Sequence, residues 1–187
     1  MDQTTIQVGP ELFAPAESSS YSGEYLPESL SIGPDTYTFA QPLNWNVLVS
    51  NTGGALLVAG SVTGVGTTEC SRCLEAVEVP LNGEVEAYYL LNAEETELTE
   101  DEEDEFEVLG EDNTINLIPL LEAAILVDVP LQPLCREDCK GICPDCGVNL
   151  NEQSCDCAEA RAKADAEFEE AKNPFAKLKE LNLSNDS

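Results

Sequence analysis

From Thr36 onwards apolar and polar residues interleave in short runs that fit strands. TYTFAQPLNWNVLVS, ALLVAGSVTGV, TTECSRCLEAVEVPL and GEVEAYYLL are rich in β-branched and aromatic residues, with Asn-Thr-Gly-Gly and Asn-Gly as turn signals between some of them. The gaps are too short for crossover helices, which predicts a largely antiparallel sheet. Pro42 predicts an edge or a bulge. The period then changes. Leu117, Leu120, Leu121, Ala124 and Ile125 fall at i, i+3, i+4, i+7 and i+8, one apolar stripe of a helix that Asn116 can cap. Pro119 is tolerable in its first turn, and Pro130 and Pro133 end it. A second helical pattern, AEARAKADAEFEEAK, places Ala164, Phe168, Ala171 and Phe175 on roughly one side.

These periods divide the chain. Residues 1–34, rich in Ser, Pro, Gly and Glu, read as a partly ordered lead-in. Residues 35–134 read as an α+β core whose mainly antiparallel sheet is open to curling towards a barrel, with an acidic loop at 92–114. Residues 135–157 form a cysteine-rich module, and 158–187 a C-terminal helical segment. No internal repeat is present.

Cysteine changes the picture most. Six of the eight cysteines lie in PLCREDCKGICPDCGVNLNEQSCDC, at Cys135, Cys139, Cys143, Cys146, Cys155 and Cys157. The other two form a CxxC pair, Cys70 and Cys73, where one strand is expected to end and the next to begin. A CxxC turn presents two thiolates to one tetrahedral ion. In Cys-Pro-Asp-Cys-Gly the proline sets one backbone angle, and the glycine lets the chain turn away with its N–H groups towards sulfur. Eight thiols divide into two closed sites of four, which predicts two structural zinc ions. Close spacing groups Cys143, Cys146, Cys155 and Cys157, leaving Cys70, Cys73, Cys135 and Cys139; an interleaved pairing is the alternative.

Two other readings compete. Redox CxxC pairs sit at a helix N-terminus in a βαβ setting, whereas Cys70 comes off a strand. Disulfides need an oxidising compartment. The start MDQTTIQVGPELFAP has no basic n-region or apolar h-region, so no secretory signal is expected. No apolar run approaches a membrane span, and a cytoplasmic protein is expected.

Charge narrows the partners. With 37 acidic and 8 basic residues the formal net charge is −29. Such a field repels nucleic-acid phosphate and membrane surface and attracts basic proteins. A halophile's proteins are acidic too, and composition does not separate the two. Twelve acidic residues and no Lys or Arg lie between Glu94 and Asp112, which reads as a solvated loop or as a lure for a basic partner. Seven of the eight basic residues follow Leu134. With no histidine, Ser-His and Cys-His nucleophile pairs are excluded. Gly60-Ser61-Val62-Thr63-Gly64 fails the nucleophile-elbow pattern, no phosphate loop occurs, and four thiolates fill a zinc shell and leave a poor Lewis acid. No enzyme is expected. Trp45, Tyr88 and Tyr89 read as core rather than as platforms for bases.

With Cys70-Ser71-Arg72-Cys73-Leu74-Glu75 and PLCREDCKGICPDCGVNLN in view, the chain resembles the YceD family, bacterial and plastid proteins implicated in accumulation of 23S ribosomal RNA. The Asn116–Pro130 helix, the proline-flanked entry to Cys135 and the closing Asn173-Pro174-Phe175-Ala176 carry the likeness further, over roughly Leu12 to Leu181. The Glu94–Asp112 stretch is more acidic, and the last helix longer, than the family pattern. Some relatives lack the Gly141–Gly147 segment, which makes the second site a stabilising elaboration. The resemblance implies a role in synthesis, processing or stability of 23S rRNA, and so in large-subunit assembly. Physics then favours basic ribosomal proteins or pre-large-subunit particles as partners. Direct rRNA contact would be confined to the Lys/Arg-bearing C-terminal third, and neither membrane nor DNA is expected. The alternative is a zinc-stabilised interaction adaptor unrelated to ribosomes.

Overall fold

Alternation of apolar and polar positions builds the centre of the molecule. The computed structural model describes residues 4–91 and 106–172, with the backbone alone at Phe106 and at 169–172. The chain falls into two compact units, Met1–Ser71 with Glu75–Cys135, and Arg72–Leu74 with Arg136–Ser187.

The first unit carries strands β1 (Thr5–Gln7), β2 (Ser18–Tyr25), β3 (Leu30–Ile32), β4 (Asp35–Tyr37), β5 (Leu43–Asn51), β6 (Ala55–Glu69), β7 (Ala76–Leu90), β8 (Phe106–Val108) and β9 (Thr114–Asn116), with helix α1 (Ile118–Asp128). A five-stranded sheet runs β2-β5-β6-β7-β8, and β3-β4 and β1-β9 form two small ribbons. Every pairing is antiparallel except β7 with β8. The β6–β7 pair is the longest, with Ala55 opposite Leu90 and Glu69 opposite Ala76. The β5–β6 turn is the expected Asn-Thr-Gly-Gly: the Asn51 side chain accepts the Gly53 N–H at 2.8 Å, and Gly53 has φ +105°. Pro42 sits just before β5, an inner strand, rather than on an edge.

The apolar stripe of α1 packs onto the sheet as expected. Leu117, Leu121, Ala124 and Ile125 are buried against Val58, Val62, Leu81 and Val85 in one core that also takes Trp45 and Tyr89. Each fully buried leucine or isoleucine contributes roughly 1.5–3 kcal/mol. The Asn116 side chain accepts the Ile118 N–H at 3.1 Å, satisfying one of the orphan donors of the first turn. Glu122 accepts the Tyr25 hydroxyl at 2.6 Å, and Asp128 accepts the Asn82 N–H at 2.7 Å. Burial first, and then Glu122, push the Tyr25 phenol above its ordinary 10.0. The helix thus bonds to both β2 and β7. The architecture is α+β with an open sheet; among the described residues no ladder closes it into a barrel.

Some local expectations change. Asn82-Gly83 is not a turn but the middle of one continuous strand, Ala76–Leu90. The glycine is there for space, since a Cβ on Gly83 would lie 2.6 Å from the backbone of Ala124. Within residues 1–34 the chain forms β1, a 3-10 turn at Pro10–Phe13, β2 and β3, and β2 pairs with β5 over eight positions. The acidic 92–114 segment lies outside the described residues up to 105; beyond that it supplies β8, and Thr114 opens β9. Phe175 and the closing Asn173-Pro174-Phe175-Ala176 also lie outside the described residues.

Gly83→Ala should therefore cost about 2 kcal/mol, because the added methyl meets helix backbone rather than a flexible side chain. Urea denaturation monitored through Trp45 fluorescence checks this; an unchanged midpoint would show that α1 does not sit this close to β7.

Candidate metal centres

The second unit has almost nothing apolar to bury. Its helix α2 (Cys157–Lys172) is exposed at every side chain described from Ala158 to Phe168. Among the unit's described residues, the only buried side chains are Cys73, Cys139 and Cys143. A unit of this size without an apolar core needs another staple, and its thiols are placed to provide one.

The eight cysteine sulfurs gather in two sets, Cys70, Cys73, Cys135 and Cys139, and Cys143, Cys146, Cys155 and Cys157; within each set all four lie within 4.8 Å of one another. These are the sets that spacing groups. A metal–sulfur bond of about 2.3 Å puts tetrahedral sulfurs about 3.8 Å apart, so each set fits one ion with small adjustment. Both CxxC pairs stand on turns, not at a helix N-terminus, which removes the structural basis of the redox reading.

The backbone explains how each loop presents its sulfurs. Around the first set, the Cys70 N–H bonds to the Glu75 carbonyl at 2.8 Å and closes the turn after β6, with Leu74 at φ +62°. The Ser71 N–H bonds to the carbonyl of buried Pro133 at 2.8 Å. In the second unit, Arg72 donates to the Cys139 carbonyl at 2.8 Å, and its own carbonyl accepts the Ile142 N–H at 3.0 Å. Gly141 makes that approach available: it has φ +75°, and a Cβ there would lie 2.8 Å from the Arg72 oxygen. Asn151 works on both sides of Cys139. Its side chain accepts the Lys140 N–H at 2.8 Å and donates to the Cys139 sulfur at 3.4 Å, which orients the ligand and favours thiolate. No local sequence signal marks Arg72, Gly141 or Asn151 for these roles.

The second set is a knuckle. The Gly147 N–H bonds to the Cys143 carbonyl and the Cys143 N–H to the Val148 carbonyl, both at 2.8 Å, with Gly147 at φ +72°. The N–H groups of Cys146 and then Asp145 face the Cys143 sulfur and hold its thiol down from 9.0 to about 7. The Cys157 thiol is pushed up to about 12, first by the Cys146 side chain, then by burial and Cys155. For Cys155 the largest influence, the Cys157 N–H, favours the thiolate, but Cys143, burial and Cys146 together raise it above 9.0. The Cys143 thiol is held low while those of Cys155 and Cys157 are held high. A divalent cation at the centre removes that conflict. Arg161 pairs with Asp145 beside the knuckle, tying α2 to it.

The sequence that carries these cysteines is matched by a known protein family. The family model described as large ribosomal RNA subunit accumulation protein YceD matches residues 58–182, which include all eight cysteines. The chain belongs to the YceD family. Among curated relatives, an uncharacterised protein of Mycobacterium leprae (strain TN) is 33% identical over 109 residues, 58% of this chain and 49% of the relative. An uncharacterised protein of Mycobacterium tuberculosis (strain ATCC 25618 / H37Rv) is 32% identical over 108 residues, 58% of this chain and 51% of the relative. This YceD-family chain thus spans about half the length of the curated relatives it matches. No solved structure matches it.

Replacing Cys70 and Cys73 by Ser should remove one bound metal ion per chain and leave the second, read by native mass spectrometry; loss of both would show that the two sets depend on each other. Acidity should act with a definite sign. In the metal-free protein the lowered Cys143 thiol favours the folded knuckle fully above pH 9, a benefit lost as pH falls through about 7. The raised Cys157 thiol disfavours it as pH rises from 9 towards 12. What residual protection the knuckle keeps without metal should therefore be greatest between these limits, and metal-loaded protein should keep full protection well above pH 9. Amide hydrogen exchange of Cys143–Cys146 against pH, with and without metal, checks both arms.

Proposed function

We propose that this chain is a non-enzymatic, cytoplasmic factor that supports synthesis, processing or stability of 23S rRNA and assembly of the large ribosomal subunit through contacts with basic ribosomal proteins. Membership of a family described by large ribosomal RNA subunit accumulation carries the reading. Zinc is the ion that suits two closed sets of four thiolates, and with every coordination position filled by sulfur it holds shape rather than supplying chemistry.

Electrostatics decides how such a factor works. A net charge of −29 repels RNA phosphate over any wide footprint and draws in proteins rich in Lys and Arg. The basic residues that would have to grip RNA are partly committed elsewhere. Arg161 is paired with Asp145, and Arg136 lies 3.6 Å from Asp138. An acidic surface that shields a basic ribosomal protein until it docks on RNA needs no such grip. Among the described residues no helix is long and apolar enough to cross a membrane.

Depleting the protein in its host should lower the ratio of 23S to 16S rRNA and reduce mature large subunits on sucrose gradients. An unchanged ratio with a normal particle profile would overturn this reading and leave an adaptor unrelated to ribosomes. Tight binding of 23S rRNA fragments at physiological salt, with no ribosomal protein present, would overturn the protein-contact mechanism.

A further inference from the structure

The margin of β7 beside α1 is a short, guarded sheet edge. β7 pairs with β6 along its whole length, but on its other side it pairs only at Tyr88–Leu90, with β8; among the described residues no strand lies beside Ala76–Ala87 there. Parity shows which backbone groups face that margin. The Asn82 N–H leaves the ladder to bond Asp128, and the Leu90 carbonyl, eight residues on, accepts the Leu109 N–H on the β8 side. Residues 80, 82, 84 and 86 therefore direct their backbone groups away from β6. Pro80 has no N–H to offer, and Asn82 is capped by Asp128. Such features protect a sheet edge from indiscriminate pairing. Glu84 and Glu86 remain, between the cap and β8.

A groove of about 570 Å³ lies along these two residues, lined by Gly83, Glu84, Glu86, Leu120, Ala123 and Val127. Its two walls differ in character. On the α1 side are apolar groups, including Val127 at 87% exposure. On the opposite face of β7 the exposed Glu84 and Glu86 point to solvent. No Lys or Arg occurs between Arg72 and Arg136, so no basic residue of that stretch neutralises them.

We propose that this groove receives an extended segment of a basic partner protein, which adds a short strand to β7 at Glu84–Glu86. Alternation in the added strand matches the two faces. Every second side chain, apolar, sits on Leu120, Ala123 and Val127; the intervening ones, Lys or Arg, lie beside Glu84 and Glu86. RNA is disfavoured at this place, because phosphate would meet Glu84, Glu86 and Asp128. The proposal rests on the reading that the partners are basic proteins and names where and how one segment binds.

The direct test uses the full-length, metal-loaded chain and the peptide acetyl-Lys-Val-Lys-Val-Lys-Val-amide, followed by NMR titration. Saturable shifts at the Glu84 and Glu86 amides and at the Leu120 and Val127 methyls are expected. Glu84→Lys with Glu86→Lys, and separately Val127→Asp, should each weaken binding tenfold or more. All three positions are exposed, and thermal melts confirm folding. A peptide N-methylated at every backbone amide should fail to bind. Equal affinity for the Glu-for-Lys peptide, retained affinity in the variants, shifts elsewhere, or no saturation would overturn the proposal, as would displacement of the peptide from these amides by a single-stranded RNA oligonucleotide.

Co-sedimentation separates this idea from the one beneath it. Pre-large-subunit particles that retain the Glu84→Lys/Glu86→Lys chain as well as wild type would sink the groove and leave the assembly role standing. Peptide binding at the groove with no wild-type chain on particles would do the reverse.

Discussion

Four thiols held within 4.8 Å of one another, in a unit with no apolar core, form a cluster that could hold a cation. Backbone N–H groups at the knuckle lower one thiol to about 7, while crowding lifts another to about 12. Thiolates that repel one another become ligands once a divalent ion sits among them, and binding free energy then serves as folding free energy. Arg72, Gly141 and Asn151 take their places as supports that orient the loops on which Cys73 and Cys139 stand.

The first unit follows a different economy. Its stability comes from apolar area, with α1 laid across the sheet and hydrogen-bonded to β2 and β7. Gly83 sets how closely that helix approaches. Asp128 both fastens the helix and seals one exposed N–H of the sheet margin. One short helix thus packs into the core and lines the groove beside Glu84 and Glu86.

What could be read from sequence was what local period and spacing encode. The stripe from Leu117 to Ile125, the Asn51–Gly54 turn and the grouping of cysteines all depend on near neighbours. Features set by distant partners were not legible. Asn82-Gly83 has a turn's composition, and only the approach of Ala124 from 41 residues away makes it a strand interior. Strand β2 is Ser-Ser-Ser-Tyr-Ser-Gly-Glu-Tyr, too polar to signal itself, yet it pairs with β5 throughout. β8 lies in the run of acidic residues, where its pairing with β7 leaves no local mark. The Arg72 contact to Cys139 spans 67 residues, and no motif announces it.

The functional account joins these parts: a unit with clustered cysteines and an acidic α+β unit in a protein family tied to large ribosomal RNA. Its central claim is that two structural metal ions complete the fold. The most direct measurement is native mass spectrometry of the purified chain alongside a titration of its thiols. The account predicts a mass two zinc ions above the polypeptide and eight cysteines that resist alkylation until a chelator is added. A metal-free mass with a folded, protease-resistant second unit, or four disulfides in place of thiols, would contradict it.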